Sequence, residues 1–262
     1  NNLMNLVQMD QGVSPTAWQH ASIPAAFKEK IAVIHDGIDT RILNASDDAV
    51  LKATDDQGRD ISFTRQDEVV TFVNRNLEPF RGYHIFMQAL PRMMKERPNA
   101  HFVLIGGDSV SYGAAPKEGT WKQIYLDQVK AELDLSRLHF LGRVPYATYV
   151  SAMQVSKAHV YLTYPFVLSW SLLECMAMKV PIIASSTAPV MEVVKDGFNG
   201  HLVDFFDVNA LVNKVIQVLE KPELQTEMRE NARRTIVEKY DLMTQCLPAH
   251  IQLVESLSPS RA

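Results

Sequence analysis

Five short apolar runs recur along the chain, separated by longer stretches in which apolar residues return every three or four positions. The runs are VVTFV (69–73), HFVLIGG (101–107), LHFLG (138–142), HVYLT (159–163) and VPIIAS (180–185). Each run has the length of a β-strand, and continuous apolar strands that alternate with amphipathic helices are typical of a parallel sheet covered on both faces. The pattern therefore predicts an α/β fold with a doubly wound, Rossmann-like parallel sheet.

The sequence on either side of this region has a different pattern. Residues 46–68 are polar and acidic, which predicts a linker or surface excursion. A final short strand is expected after the turn at Gly197, and the stretch from 207 onwards has helical periodicity. The run at 31–35 is strand-like with little sequence before it, so we expect residues 1–45 to be the tail of a preceding domain. A natural N-terminal extension packed on the main domain is the alternative.

Composition and charge exclude several classes of protein. The chain has 262 residues, of which 47% are hydrophobic and 21% charged, and its net charge is −4 without any basic run. These values predict a globular protein and argue against nucleic acid as a partner. Cys175 and Cys246 have no second Cys or His at ligand spacing, which argues against a disulfide framework or a zinc site. No segment has the apolar length of a transmembrane helix, so we expect a cytoplasmic protein, with a peripheral membrane position open to the full-length form.

Two arginines follow the first strand of the predicted sheet. In such sheets ligands bind beyond the carboxyl ends of the strands, and the loop NRNLEPFRGYH supplies Arg75 and Arg81 there. A guanidinium group keeps its charge and offers several donors, which suits an anionic diphosphate. Surface salt bridges, for instance with Glu78, account for the pair equally well. The loop has neither a G-x-G-x-x-G fingerprint nor a P-loop, which argues against hydride transfer and Walker-type hydrolysis.

The next two loops give weaker signals. Gly107 at the end of HFVLIGG permits close approach of the backbone to a ligand, although a plain tight turn also uses glycine. The loop GRVPY presents Arg143, backbone amides and the apolar Val144, which suit a flat base. The start of a helix at Pro145 accounts for the second loop equally well.

The stretch YPFVLSWSLLECMA (164–177) contains a single carboxylate among apolar, aromatic and hydroxyl side chains. The serines predict the start of a helix near Ser169–Ser171, where free N–H groups and the helix dipole form an anion site. Glu174 lies about one turn inside this helix, where it can accept hydrogen bonds from the vicinal hydroxyls of a ribose. A surface ion pair with a basic neighbour is the alternative, but the apolar residues around Glu174 predict a buried helix and favour a ligand.

These motifs resemble a known enzyme family. Residues 164–204 look like the donor-binding segment of family 4 retaining glycosyltransferases of the GT-B fold, and NRNLEPFRGYHIF is similar to their G-R-x-x-x-x-K-G loop. The resemblance runs from about Val69 to Tyr240, and KIAVIHDGID is similar to the junction between the two GT-B domains. It implies three parts: residues 1–45 as a remnant of the acceptor domain and the junction, 46–240 as the nucleotide-sugar-binding domain, and 241–262 as a crossover helix and tail.

The resemblance also assigns roles to individual residues. The family's arginine and lysine on the leaving diphosphate fall on Arg75 and on Arg81, which replaces the lysine. The ribose-binding glutamate, the second of the family's E-x7-E motif, falls on Glu174, and the first falls on Phe166, a clear departure at the position that faces the donor sugar. The resemblance further implies that the backbone around Ser169, Trp170, Ser171 and Leu172 meets the phosphate, and that Arg143 and Val144 border the base.

The activity implied is transfer of a sugar from a nucleoside diphosphate to an acceptor hydroxyl with retention at the anomeric carbon. Arg75, Arg81 and the helix start would stabilise the departing diphosphate, without a metal or other cofactor. The expected partners are a nucleotide sugar and a saccharide or lipid-linked acceptor, the latter bound through the missing N-terminal domain, so this chain alone should transfer slowly or not at all. Two alternatives remain open: a GT-B nucleotide-sugar epimerase and a non-catalytic module that binds nucleotide sugar or a protein partner.

Overall fold

The structure is a computed structural model that describes residues 2–166 and 168–257. Ten strands are present in these residues: β1 Gly12–Ser14, β2 Ile31–Val33, β3 Val50–Thr54, β4 Asp60–Thr64, β5 Val69–Asn76, β6 His101–Gly107, β7 Leu138–Gly142, β8 Ala158–Tyr161, β9 Ile182–Ser185 and β10 His201–Val203. The helices of the same residues are α1 Asn2–Gln8, α2 Ala17–Ala21, α3 Tyr83–Glu96, α4 Trp121–Val129, α5 Tyr146–Val155, α6 Trp170–Ala177, α7 Ala188–Met191, α8 Val208–Glu220, α9 Thr226–Lys239 and α10 Leu247–Leu257. A π-helical turn, Leu242–Cys246, precedes α10.

A six-stranded parallel sheet forms the centre, in the order β10-β9-β8-β5-β6-β7. All five predicted strands and the final short strand are present, so the α/β prediction is confirmed. Alternate side chains of β5 enter two separate cores: Val69 and Val73 pack on the side of α5 and α6, while Val70 and Phe72 pack on the side of α3 and α8. Because both faces are covered, each strand reads as a nearly continuous apolar run.

The prediction of a linker at 46–68 is wrong. Strands β3 and β4 pair as an antiparallel hairpin, and Leu51, Ile61 and Phe63 are buried in the core beside α5. The residues alternate between buried and exposed along both strands, which is the period of a sheet with one solvated face. Charged residues such as Lys52, Asp56 and Asp60 occupy exposed positions of this segment, and their number made the alternation hard to recognise in the sequence.

The segments before and after the sheet contact each other. The N–H of Ile38 donates to the carbonyl of Tyr240 at 2.8 Å, and the N–H of Leu242 donates to the carbonyl of Ile38 at 2.9 Å.

The last residues of the segment predicted for 241–262 lie outside the described residues. Within the part of the chain that the structure describes, no helix is both long and apolar enough to cross a membrane.

One buried histidine in the sheet makes stability depend on pH. His159 on β8 is fully buried, and its Nδ1 lies 3.0 Å from the hydroxyl of Thr71. Its Nε2 has no hydrogen-bond partner among the described residues. Burial disfavours the imidazolium and lowers the pKa of His159 to about 4.

We therefore expect the free energy of unfolding to fall between pH 6.5 and pH 4, because the unfolded chain takes up a proton in this range and the folded chain does not. The loss due to His159 should be about 2 kcal/mol at pH 5 relative to neutral pH. Urea unfolding of the wild type and of His159→Leu at both pH values measures this loss. The free energy of unfolding should fall by about 2 kcal/mol more in the wild type than in the variant between neutral pH and pH 5. Parallel pH profiles for the two proteins would contradict the assignment.

Candidate functional site

An open cleft of about 690 Å³ lies at the carboxyl ends of β5, β6 and β7. Its walls are formed by Asn74, Arg75, Ile105, Gly106, Gly142, Arg143, Val144, Tyr146 and Tyr149. Three of the residues predicted from the sequence, Arg75, Arg143 and Val144, therefore line one space. Arg75 is exposed to solvent, and no ion pair among the described residues involves it, so its charge is available to a ligand.

Gly107 is not among the residues that line this cleft. A Cβ built on Gly107 would lie 2.7 Å from Oδ1 of Asn76 and 2.9 Å from Nε of Arg143. The guanidinium of Arg143 crosses the backbone at this glycine and donates to Oδ1 of Asn76 at 3.3 Å. Glycine is needed here because a side chain would displace Arg143, and the residues of this strand that border the cleft are Ile105 and Gly106.

Arg81 lies deeper than Arg75, at the end of the 3-10 turn Pro79–Arg81, and it is only 6% exposed. The next residue, Gly82, has φ of +71°, and a Cβ on it would lie 2.3 Å from Cβ of Leu162. Glycine thus lets the turn approach the sheet closely and aims Arg81 towards the end of β8, where its Nη1 lies 3.4 Å from the hydroxyl of Thr163.

Two aromatic rings cover the Arg81 guanidinium. Its central carbon lies 4.7 Å from the ring centre of Phe166 and 5.1 Å from that of Tyr112. No acidic side chain forms an ion pair with Arg81 among the described residues, so the alternative of a salt bridge with Glu78 is wrong. The rings stabilise the cation through their π faces but do not neutralise it, so the positive charge is buried without an acidic side chain at ion-pair distance.

Glu78 has a different function in this region. It is completely buried, and its Oε2 accepts the N–H groups of Ser111, Tyr112 and Gly113 at 3.1, 3.4 and 3.4 Å. The contact fixes the loop after β6 so that Tyr112 lies over Arg81. No sequence signal indicates it, because Glu78 and Tyr112 are 34 positions apart and the loop has no regular periodicity.

Glu174 is held by two tyrosines rather than by a basic residue. The hydroxyl of Tyr146 donates to one carboxylate oxygen at 2.8 Å, and that of Tyr149 donates to the other at 2.7 Å. Burial, together with the adjacent carboxylate, raises the pKa of both phenols, so they remain protonated donors at physiological pH. Each carboxylate oxygen can accept a further hydrogen bond, so the half-buried Glu174 can still bind a ligand hydroxyl.

Sequence reasoning missed both tyrosines, although a signal was present. Tyr146 and Tyr149 are three positions apart in the predicted helix YATYVSAMQVS and therefore share a face. Tyr149 is buried, while Tyr146 is 51% exposed and reaches Glu174 from the cleft. Glu174 thus adjoins the cleft that contains Arg75, Arg143 and Val144.

Helix α6 begins where the sequence predicted, with Ser169 as its N-cap residue. The N–H of Ser169 donates to the hydroxyl of Tyr161 at 3.1 Å, and that of Leu172 donates to the carbonyl of Ser169 at 3.2 Å. These two amides are therefore engaged within the protein, and Ser171 Oγ donates to Ser169 Oγ at 3.3 Å. The indole of Trp170 is exposed and donates to Asp36 at 2.9 Å, so this side chain contacts the N-terminal segment.

Glu192, at the end of α7, braces the N-terminal segment. Its two carboxylate oxygens accept the N–H groups of Ala17 and Trp18 at 2.8 and 2.9 Å, at the start of α2. The carboxylate satisfies donors that a helix start leaves unpaired. It also joins the N-terminal segment to the end of α7.

Comparison with known proteins identifies the family. Residues 55–235 match the family described as "Glycosyl transferases group 1", and residues 1–43 match the "Glycosyl transferase family 4 group". The chain is 29% identical over 189 residues to a phosphatidyl-myo-inositol mannosyltransferase of Mycobacterium tuberculosis, an alignment that covers 68% of this chain and 45% of that protein. The chain thus spans about half the length of the curated relatives it matches.

Solved structures share the fold at low sequence identity. Sucrose-phosphate synthase from Thermosynechococcus elongatus superposes with a TM-score of 0.76 at 18% identity, over 97% of this chain and 61% of that one. Anabaena Alr3699/HepE, solved in complex with UDP, superposes with a TM-score of 0.72 at 20% identity, over 95% and 64%. The chain therefore belongs to the group 1 glycosyltransferases, within the family 4 type, and has the Rossmann-like architecture of the GT-B fold.

Proposed function

We propose that this chain binds the donor of a retaining glycosyltransferase, a nucleoside diphosphate sugar, with its nucleoside in the cleft at the carboxyl ends of β5, β6 and β7 and its diphosphate beside Arg81, which lies outside the residues that line the cleft. The observation that carries the proposal is Arg81, a buried guanidinium with no acidic partner among the described residues. A buried charge without a counter-ion is costly, and a diphosphate supplies the missing negative charge. Membership of a transferase family gives independent support for a sugar-transfer reaction.

The remaining residues have complementary functions in this proposal. Arg75 and Arg81 bind the diphosphate and stabilise the charge that grows on it as the glycosidic bond breaks, with the start of α6 adding the positive end of its dipole. Glu174 accepts hydrogen bonds from the ribose hydroxyls, and the buried Tyr149 orients the Glu174 carboxylate through its own hydrogen bond. Arg143 and Val144 border the base. The mechanism requires no metal, because the cations at the diphosphate come from side chains.

The acceptor side of the reaction is proposed to lie in parts of the protein beyond residues 46–240, which we regard as the donor-binding unit. The matched curated relatives are about twice as long as the aligned part of this chain, which leaves room for an acceptor domain. A saccharide or lipid-linked saccharide is the acceptor class we propose, and the name of the mycobacterial relative, a phosphatidyl-myo-inositol mannosyltransferase, supports the lipid-linked form. The 262 residues alone would then bind the donor and transfer the sugar slowly or not at all.

A binding module without turnover is the second candidate, and Phe166 is the observation that favours it. The ring covers Arg81 at 4.7 Å, where the family carries a glutamate that faces the donor sugar. An apolar ring cannot stabilise charge or accept hydrogen bonds from sugar hydroxyls. Turnover of a nucleotide sugar by the full-length protein separates the two candidates, because both predict binding and only the enzyme predicts product.

Calorimetric titration with UDP, GDP and ADP tests donor binding directly. We expect one nucleotide to bind more tightly than the others, and Glu174→Ala to weaken that binding about tenfold, because hydrogen bonds from hydroxyls to a charged acceptor contribute about 1.5 kcal/mol. Glu238→Ala, which removes an exposed glutamate on α9, is the matched control and should leave the affinity unchanged.

The same titration can contradict the proposal in two ways. Equal affinity in the wild type and in Glu174→Ala would mean that Glu174 accepts hydrogen bonds from the two tyrosines and does not bind the nucleotide. If all three nucleotides fail to bind, the cleft formed by these residues is not a donor site. A thermal unfolding scan of each variant excludes loss of the folded structure as the cause of weaker binding.

A further inference from the structure

A second cavity, of about 220 Å³, lies at the opposite edge of the sheet from the candidate donor cleft. Its lining residues are Arg65, Gln66, Glu68, Ser156, Lys157, Pro181, Val218, Leu219, Pro222, Gln225 and Arg229. Glu68, Lys157 and Pro181 directly precede β5, β8 and β9, so the cavity is at the amino ends of the strands. A strand of six residues separates the two edges by about 20 Å.

Three cationic side chains converge on this cavity. Arg65 donates through Nη1 to the carbonyl of Gln154 at 2.8 Å, and its ion pair with Asp47 is long, at 3.6 Å, with the aspartate fully exposed. Arg229 donates through Nε to the carbonyl of Lys179 at 2.6 Å. The ammonium of Lys157 has no hydrogen bond or ion pair among the described residues. Each cation thus retains donors that point to no protein acceptor.

The three charges are close enough to affect one another. Burial lowers the pKa of Lys157, and the positive charges of Arg65 and Arg229 lower it further, while the carboxylates of Glu68 and Asp67 oppose this with smaller effects. The pKa of Arg229 is lowered by burial and then by Arg65. Like charges held together in partly buried positions destabilise the free protein, and a bound anion would relieve the repulsion.

The acidic and amide groups nearby are already engaged. Both carboxylate oxygens of Glu68 bind the guanidinium of Arg97. Asp67, one position before Glu68, accepts the N–H of Thr64 at 2.7 Å. Oε1 of Gln225 lies 2.9 Å from Nε2 of His201. The cavity therefore has an excess of positive charge that its own wall does not neutralise.

The other wall of the cavity is apolar, because Pro181, Val218, Leu219 and Pro222 form it. A volume of 220 Å³ corresponds to about seven water molecules at roughly 30 Å³ each. A site of this size with one cationic and one apolar wall suits a small molecule with an anionic group at one end and a compact apolar body at the other.

We infer that the cavity bordered by Arg65, Lys157 and Arg229 is a binding site for a small organic phosphate. The two guanidinium groups and the ammonium bind the phosphate oxygens, and the organic part packs on the two prolines and on the aliphatic side chains of α8, Val218 and Leu219. This ligand is distinct from the proposed sugar donor, because the cavity has about a third of the volume of the donor cleft and lies at the other edge of the sheet.

Phenyl phosphate is the probe for this site. Inorganic phosphate and phenol, which represent its anionic and apolar parts, are titrated for comparison. Titrations use the 262-residue chain in its Arg81→Met form, so that binding in the donor cleft does not contribute. We expect phenyl phosphate to bind more tightly than either half, and Lys157→Gln to weaken it at least tenfold. Arg65→Gln is the second variant, and Lys52→Gln, on the exposed face of β3, is the matched control.

Thermal unfolding adds a readout that a merely structural lysine would not produce. Without ligand, Lys157→Gln should unfold at the same temperature as the parent chain or higher, because one of three repelling charges is gone. With saturating phenyl phosphate the parent chain should unfold at a higher temperature than Lys157→Gln, since only the parent gains stability from binding. Equal affinity of the parent, Lys157→Gln and Arg65→Gln would overturn the inference, as would equal thermal gains in all variants, which would indicate general exclusion of phosphate from the surface.

Discussion

Replacing Arg81 by methionine is expected to weaken nucleoside diphosphate binding about 100-fold, while the free chain becomes no less stable than the wild type. Arg81 is the cation that the fold places deepest at the proposed diphosphate position, beneath Phe166 and Tyr112. Loss of a buried partner of a charged ligand costs about 2 to 5 kcal/mol, and 100-fold corresponds to about 2.7 kcal/mol.

The unchanged stability is the more informative half of this prediction. A structural arginine satisfies carboxylates or carbonyls, and its removal leaves those groups unpaired. Among the described residues the Arg81 guanidinium donates to the hydroxyl of Thr163, at 3.4 Å, and two aromatic rings cover it. Methionine is flexible and polarizable, so it can fill the space between Phe166 and Tyr112 while removing a charge that is costly to bury.

Calorimetry with the nucleotide that binds the wild type and urea unfolding of both proteins measure the two halves. Arg75→Met is the comparison, because Arg75 is exposed at the same edge and should lose about tenfold in affinity with no change in stability. If Arg81→Met unfolds about 2 kcal/mol more easily and binds as well as the wild type, Arg81 is a structural residue and the proposed diphosphate site is wrong.

The sheet could be predicted from the sequence because its strands are buried on both faces. VVTFV and HFVLIGG needed no knowledge of their neighbours, since a continuous apolar run of strand length between amphipathic helices is typical of a central parallel strand. The positions of Arg75, Arg143 and Val144 followed from the same rule, because loops after parallel strands meet at one edge. All three line one cleft in the structure.

The contacts that define the site's interior could not be predicted in this way. Tyr112 and Phe166 are 54 positions apart and meet over Arg81 at a ring distance of 4.6 Å, because β5 lies between β8 and β6 in the sheet. Strand order of this kind depends on tertiary packing and not on local propensity. The tyrosines on Glu174 likewise required α5 and α6 to be placed side by side, even though their spacing was visible in the sequence.

The hairpin of β3 and β4 was missed for a different reason, since its alternation was present but its polar residues are those of a typical linker. Asp55, one of these polar residues, is buried at the turn. Its Oδ1 accepts the N–H groups of Gln57 and Arg59 at 3.0 Å, and its Oδ2 accepts Nε of Arg59 at 2.7 Å and Nδ1 of His139 at 3.2 Å. An aspartate with four donors around it is a structural anchor of the hairpin.

Asp55→Asn is therefore expected to lower the free energy of unfolding by about 3 kcal/mol, because one side of the amide would present donors to Arg59 and His139 and leave buried hydrogen-bonding groups unpaired. Asp60→Asn, on the exposed strand position that pairs with Thr54, should cost less than about 0.5 kcal/mol. Burial by itself would raise the pKa of Asp55, but the hydrogen bonds from Arg59, His139 and Gln57 outweigh it and lower the pKa to about 2. The stabilisation is thus present above about pH 4 and lost as the pH falls through 2.

Urea unfolding at pH 7 and at pH 3 measures both the size and the pH dependence of this effect. The difference between wild type and Asp55→Asn should be smaller at pH 3, because Asp55 of the unfolded wild-type chain takes up a proton there while the folded carboxylate stays ionised. A purely steric defect would cost the same at both pH values. A loss as small as that of Asp60→Asn would mean that the hairpin opens independently of the sheet, as a linker would. A loss of about 3 kcal/mol would mean that the hairpin unfolds with the sheet, because Arg59 also donates to the carbonyl of Leu135, just before β7, and to that of Leu138, the first residue of β7, the strand that leads to Arg143.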